Sequence, residues 1–341
     1  MRQLVYEGPG RVGWEDAPDP ELTGSDGAIV RPLAVARCDL DAPMIEAGIF
    51  PGPFAVGHEA VAEVVEVGSE VTAVKVGQRV AVPFQPSCGA CRDCLGTRFA
   101  ACERHRASAG GAFGFGPAGG SNGGAVAELL AVPAADHLLL PVPGSLPNEV
   151  LCTLPDNVVD GYRTVASHLR EQPGAEVLVV GGLAQSIGLY AVAWAVALGS
   201  ERVRYIDTDA DRGAAAAGLG AEVTIHEGPW PRRFERSPIT VENTGSAEGL
   251  ACTLRSTARY GNCTCVAIHF TPTTEVPLLE MYTNGITLHA SRADSRRLLP
   301  EVIQLVADGR MDPARVPTRV VDWGDADRAW LEPATKLVVA R

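Results

Sequence analysis

A chain of 341 residues, 46% of them apolar, can bury one or two cores, and its formal charge of −12 argues against a polyanionic partner such as nucleic acid. The opening segment MRQLVYEGPGRVGWED has no apolar secretory core, and no run approaches the roughly 18 uninterrupted apolar residues of a membrane span. A cytoplasmic protein with no membrane partner is expected, and nine cysteines suit that compartment if they are metal ligands or buried thiols.

From residue 1 to about 150, short β-type runs alternate with turn residues: AIVRPLAVAR, HEAVAEVVEVG, QRVAVPF and GAVAELLAVP. Valine enrichment, period-two stretches and frequent Gly and Pro predict a barrel or sandwich of short strands. Within this region PSCGACRDCLGTRFAACERH places Cys88, Cys91, Cys94 and Cys102 at C-x2-C-x2-C-x7-C. Thiolates two residues apart converge on one point, and four complete the tetrahedral shell of Zn²⁺ at about 2.3 Å per bond. A filled shell has no place for substrate, so this zinc is structural. Disulfides are the competing reading, weakened by the strain of C-x2-C rings and the lack of a secretory signal. The glycine-rich run from Gly110 to Gly124 reads as a mobile loop.

From about residue 157 the texture changes. Strand VLVV precedes IGLYAVAWAVALG, apolar on nearly every face and therefore a buried helix. VRYID, a helical DADRGAAAAGLG, and strands EVTI, ITVENTG, CTCVAIHF and GITLHAS follow, the alternation of a parallel βαβ sheet. VLVV runs into a turn holding Gly181, Gly182, Ser186, Ile187 and Gly188, the context of a dinucleotide phosphate site, although the G-x-G-x-x-G spacing is not met. Asp207 ends the next strand, 19 residues past Gly188, close to the offset of the acid that bonds the adenosine ribose. A carboxylate there repels a 2′-phosphate, which favours NAD over NADP. The last fifty or so residues, with helices LLPEVIQLVADG and DADRAWLE and strands TRVVDW and KLVVA, are expected to return to the first region.

Cys38, in AVARCDLDAP, and His58, in AVGHEAVAEVVEVG, are ordinary residues taken singly. In order with the four-cysteine loop and the glycine turn, they make the chain similar to the zinc-dependent medium-chain dehydrogenases, the alcohol and polyol dehydrogenase superfamily. The resemblance covers essentially the whole sequence. It implies a GroES-like β-rich catalytic domain over 1–155, with a structural-zinc lobe at about 85–105. A Rossmann domain with a doubly wound parallel sheet would interrupt it over 156–290, and 291–341 would return to it.

The resemblance also implies roles. Cys38 and His58 would be the first two ligands of a catalytic zinc, with Glu59 the companion of His58 and Asp41 its orienting acid. Asp156, six residues before Tyr162, would be the third ligand, with Cys152 in reserve. Two zinc ions per chain, NAD, a small alcohol, aldehyde or ketone substrate, and a homodimer or homotetramer are implied with them. A three-ligand zinc with one open position polarises the substrate oxygen while hydride passes between carbon and nicotinamide. Two features depart from the relatives. Leu40 stands where a Ser or Thr carries the proton, and Pro43 stands in the region of a histidine often found there, so a water chain, the cofactor ribose, or Asp39, Asp41 or Asp160 would have to serve. Two other readings compete: a zinc-independent quinone or enoyl reductase of the same fold, and a cofactor-binding protein without catalysis.

Overall fold

A computed structural model describes residues 1–108 and 110–341. It divides into two compact units. One comprises Met1–Val159, Ala293–Asp308 and Thr318–Arg341; the other comprises Asp160–Arg292 and Gly309–Pro317.

The first unit opens with strands β1 (Arg2–Gly8), β2 (Arg11–Asp16), β3 (Ala28–Arg37) and β4 (Phe54–Ala55). They are followed by β5 (Glu59–Val67), β6 (Arg79–Val82), β7 (Leu130–Val132) and β8 (Leu140–Pro141). The hairpin β1–β2 carries β4 on its other edge and forms a small antiparallel sheet. β3 is the spine of the larger sheet, buried along most of its length and paired with β5. The register of that pair shifts between Pro32 and Ala34, where proline lacks the N–H a regular ladder needs. Of GAVAELLAVP only Leu130–Val132 is a strand, although Ala125 and Val126 still bond the carbonyls of Gly57 and Val56.

The glycine run departs from the mobile loop expected. Ala112, Phe113, Phe115 and Ala118 are buried, and the loop packs against the turn before β5. A Cβ on Gly114 would lie 2.6 Å from the oxygen of Gly57, so the glycine permits backbone-to-backbone approach. Gly57 itself has φ +91° and leads directly into His58.

The second unit holds β9 (Val177–Val180), β10 (Val203–Asp207), β11 (Glu222–Ile225), β12 (Ser237–Glu242), β13 (Thr257–Cys265) and β14 (Thr287–Ala290). All pair in parallel, in the order β11-β10-β9-β12-β13-β14. The chain reverses its direction of travel between β9 and β12, the switch point where doubly wound sheets take ligands. In the helix Gln185–Ala197, Ser186 through Ala195 are all buried, in line with its all-round apolar sequence. β13 stops at Cys265, partway through CTCVAIHF and opposite Glu242, the last residue of β12, although the Val266 amide still donates to the Glu242 carbonyl.

The chain closes with β15 (Thr318–Asp322) and β16 (Lys336–Ala340). β16 pairs antiparallel with β3 and parallel with β15, completing a seven-stranded sheet in the first unit. Leu4, Val30, Val80, Phe113 and Trp330 meet in its core. Among the described residues no helix is long and apolar enough to cross a membrane.

Candidate metal centre and dinucleotide turn

The four cysteines of the lobe surround the short helix Arg92–Leu95, and all carry free thiols. Sγ of Cys88 lies 3.9 Å from that of Cys94, and Sγ of Cys91 lies 3.9 Å from that of Cys102. A zinc tetrahedron with 2.3 Å bonds has S···S edges of about 3.8 Å. Backbone N–H groups already point at the sulfurs, from Cys91 to Cys88 (3.3 Å) and from Cys88 to Cys102 (3.4 Å). Amides of Cys94 and Glu103 push the Cys91 thiol down to about 6, which favours the thiolate that zinc requires. The residues fit a closed zinc site. Cys91→Ser should therefore release one zinc and lower the thermal midpoint; an unchanged midpoint after verified zinc loss would show that the metal does not hold the lobe.

The second donor set is assembled from three separate elements. Cys38 follows the end of β3, His58 and Glu59 stand at the start of β5, and Asp156 lies in a π-helical turn, Leu154–Val158. Such turns recur at functional sites because the widened coil re-aims a side chain. Ligand atoms of Cys38, His58, Glu59 and Asp156 lie within 4.8 Å of one another, and all four residues are buried. Nε2 of His58 is 3.4 Å from Asp156 Oδ2, and Nδ1 is 3.9 Å from Asp41 Oδ1, both without hydrogen-bond geometry. Two unbonded ring nitrogens in a dry interior are costly unless something absent from the protein takes them.

Charge points the same way. Burial pushes the thiol of Cys38 up, with Asp156 adding to it. Burial lowers His58, but Asp41 and Asp156 outweigh it and raise the imidazole. Asp156 is held low, its burial overcome by His58. An anion-rich pocket of one sulfur, one imidazole and carboxylate oxygen is the donor set of a zinc ion. Rings of Phe84 and Phe115 lie 4.4 Å and 5.4 Å from the His58 ring and wall the site.

Not every implied residue joins the cluster. Cys152 is buried, but its thiol turns to the carbonyl of Glu149 at 3.5 Å. Asp41 stands near His58 without bonding it, and its Oδ2 has no partner. Leu40 is buried at the start of the helix Asp41–Glu46. Glu59 is fully buried and held through both oxygens by Lys336, at 2.8 Å and 2.9 Å. Lys336 was not among the expected site residues, although a lysine heading the otherwise apolar KLVVA was a legible signal.

In the second unit β9 ends at the glycine turn and the helix from Gln185 follows. Gly188 lies on that helix beside Asn243, and Ser186 and Ile187 are buried on it. A Cβ on Gly181 would fall 2.3 Å from Oδ2 of Asp207 and 2.4 Å from the hydroxyl of Tyr205. Asp207 ends β10 as expected, but its carboxylate is fully buried and heavily engaged. It accepts from Arg212 Nε (2.8 Å) and Nη2 (2.7 Å), from the amides of Thr208 (2.7 Å) and Asp209 (3.1 Å), and from Tyr205 Oη.

The model of the alcohol dehydrogenase GroES-like domain matches residues 24–144. A relative from Mycobacterium tuberculosis, named a probable zinc-binding alcohol dehydrogenase, is 31% identical over 97% of this chain and 84% of its own length. The alcohol dehydrogenase TADH from Thermus sp. ATN1 has a TM-score of 0.90 at 28% identity, covering 100% of this chain and 99% of that one. A protein from Sinorhizobium meliloti 1021 named a putative zinc-binding dehydrogenase, solved bound to NADP, shares the fold with a TM-score of 0.82 at 22% identity, over 100% of this chain and 99% of that one. Similarity of this degree runs through both the β-rich unit and the parallel-sheet unit: the chain belongs to the zinc-dependent medium-chain dehydrogenase superfamily and is an alcohol dehydrogenase-like oxidoreductase.

Proposed function

We propose that the protein exchanges hydride between an alcohol and its aldehyde or ketone, using NAD(H) in preference to NADP(H). The convergence of Cys38, His58 and Asp156, with both His58 nitrogens unbonded, carries this reading. A zinc ion held there would supply a Lewis acid for the substrate oxygen. The protein's part is to aim the three donors, exclude water and bind the carbon skeleton.

A small hollow of about 20 Å³ in the first unit, room for roughly one water, opens beside Asp41 and Phe115. Met44, Ile45, Phe50, Phe54 and Phe115 line it, and Asp41 is its polar wall. Such a lining, beside a buried Leu40, selects apolar alcohols and aldehydes over polyols. A panel of both classes, assayed with each cofactor before and after chelation, tests the proposal. Zinc-dependent turnover of apolar members is expected; turnover unaffected by complete metal removal would instead support the zinc-independent reductase.

The cofactor preference rests on Asp207, and its surroundings limit how strong that preference is. A carboxylate offers about four lone-pair sites, and five internal donors already crowd this one. The Arg212 guanidinium also offsets the repulsion a 2′-phosphate would meet. NAD(H) should therefore bind more tightly by only about tenfold or less, on the order of 1.4 kcal/mol. Arg212→Leu should widen the gap, because Asp207 then faces the ribose uncompensated. Fluorescence titrations with NADH and NADPH read this directly, and a ratio that narrows would remove Asp207 from the choice.

A further inference from the structure

We propose that Glu242, Cys265 and His269 form a third metal site, suited to a borderline divalent cation such as Zn²⁺, at the carboxyl edge of the parallel sheet. Glu242 is the last residue of β12 and Cys265 the last of β13, and the two face each other in register. His269 follows four residues later, outside the strand. Their donor atoms lie within 4.8 Å of one another.

The three donors already meet: the Cys265 thiol donates to Glu242 Oε2 at 3.1 Å, and His269 Nε2 lies 3.4 Å from the same oxygen, so an ion entering there would replace the thiol proton and open the O···S edge. Zinc bonds of about 2.0–2.3 Å at tetrahedral angles set O···S edges of about 3.5 Å and O···N edges of about 3.3 Å. A tight imidazolium–carboxylate pair would instead close to about 2.7–2.9 Å. Glu242 is also held from behind. Its Oε1 accepts from the amides of Thr244 (2.7 Å) and Gly245 (3.1 Å), which fixes Oε2 toward the other two donors as an outer shell fixes a ligand. The Glu242 side chain is fully buried, whereas that of His269 is 14% exposed, so an ion has a way in and water a fourth position.

Thiolate, imidazole and carboxylate together favour zinc over magnesium or calcium. Binding displaces the Cys265 proton to solvent, and three donors with a single thiolate hold zinc less tightly than the four-thiolate lobe.

The test uses the protein with its resident zinc, titrated with further Zn²⁺ against a chromophoric chelator. Wild type should take up one equivalent above its resident content, with uptake increasing from pH 6.5 to about 8. Cys265→Ser and His269→Gln should each weaken that uptake by at least about tenfold while leaving the resident zinc in place. His269→Gln changes a loop position and keeps the test decisive should Cys265→Ser fold poorly. No extra equivalent in wild type, or undiminished uptake in His269→Gln, would overturn the proposal. Counting above the resident zinc separates this outcome from any failure of the Cys38 site.

Discussion

Asp156→Asn should lose one zinc and at least about a hundredfold of turnover, on the order of 2.7 kcal/mol in barrier, with cofactor binding largely retained. The substitution keeps size and much of the hydrogen-bonding capacity and removes the negative charge. An aspartate that merely capped a helix would tolerate it, since Asn caps as well as Asp. Asp156 is not so placed: it lies inside the π turn Leu154–Val158, buried, with Oδ2 facing His58 at 3.4 Å. Its carboxylate stays low because His58 outweighs its burial, so the anionic form needed by a cation is the one the site maintains. Zinc analysis and steady-state kinetics on the variant decide the matter. If both zincs and near-normal turnover survive, the third ligand moves to Glu59, the other carboxylate of the cluster, because the Cys152 thiol is turned away.

Lys336→Met should destabilise the first unit by about 3–5 kcal/mol, the cost of leaving one member of a buried ion pair uncompensated. Both Lys336 and Glu59 are fully out of solvent, and the ammonium also bonds the carbonyl of Arg37 at 2.9 Å. Burial pushes Glu59 up while Lys336, and less strongly His58, oppose the shift, so removing the lysine takes away the main cationic partner of the carboxylate. Adding Glu59→Gln removes the orphaned charge and should restore much of the loss, whereas independent contributions would simply sum. Thermal melts of the two single variants and the double variant measure the coupling. A double variant no better than Lys336→Met would mean that the ion pair is not what the lysine provides.

Much of this site was legible in the sequence because its parts are local. The four cysteines span fifteen positions, and Cys38 and His58 each sit in a short distinctive segment. Asp156 came only through the family resemblance, which implies a third ligand six residues before an aromatic such as Tyr162. What escaped was carried by contacts between distant positions. Lys336 and Glu59 are 277 residues apart, and nothing local to either announces the other. Arg212 reaches Asp207 from a helix that begins after the strand, so the acid at the expected offset was visible and its occupancy was not. The glycine run misled for a related reason. Glycine serves mobility and close packing alike, and only the backbone of Gly57 opposite Gly114 shows which applies. β1 and β2 were missed because their residues lack clean alternation, with burial concentrated at Leu4, Val5 and Tyr6.

The most direct test of zinc dependence is the metal content of freshly purified protein, compared between wild type and Cys38→Ser. Two chemically distinct donor sets, a four-thiolate lobe and a buried Cys–His–carboxylate cluster, predict two tightly held zinc ions per chain. Cys38→Ser should reduce the count to one, leaving the lobe filled and the fold intact by circular dichroism. Wild-type protein holding a single zinc that Cys38→Ser leaves unchanged would contradict a catalytic metal at Cys38, His58 and Asp156.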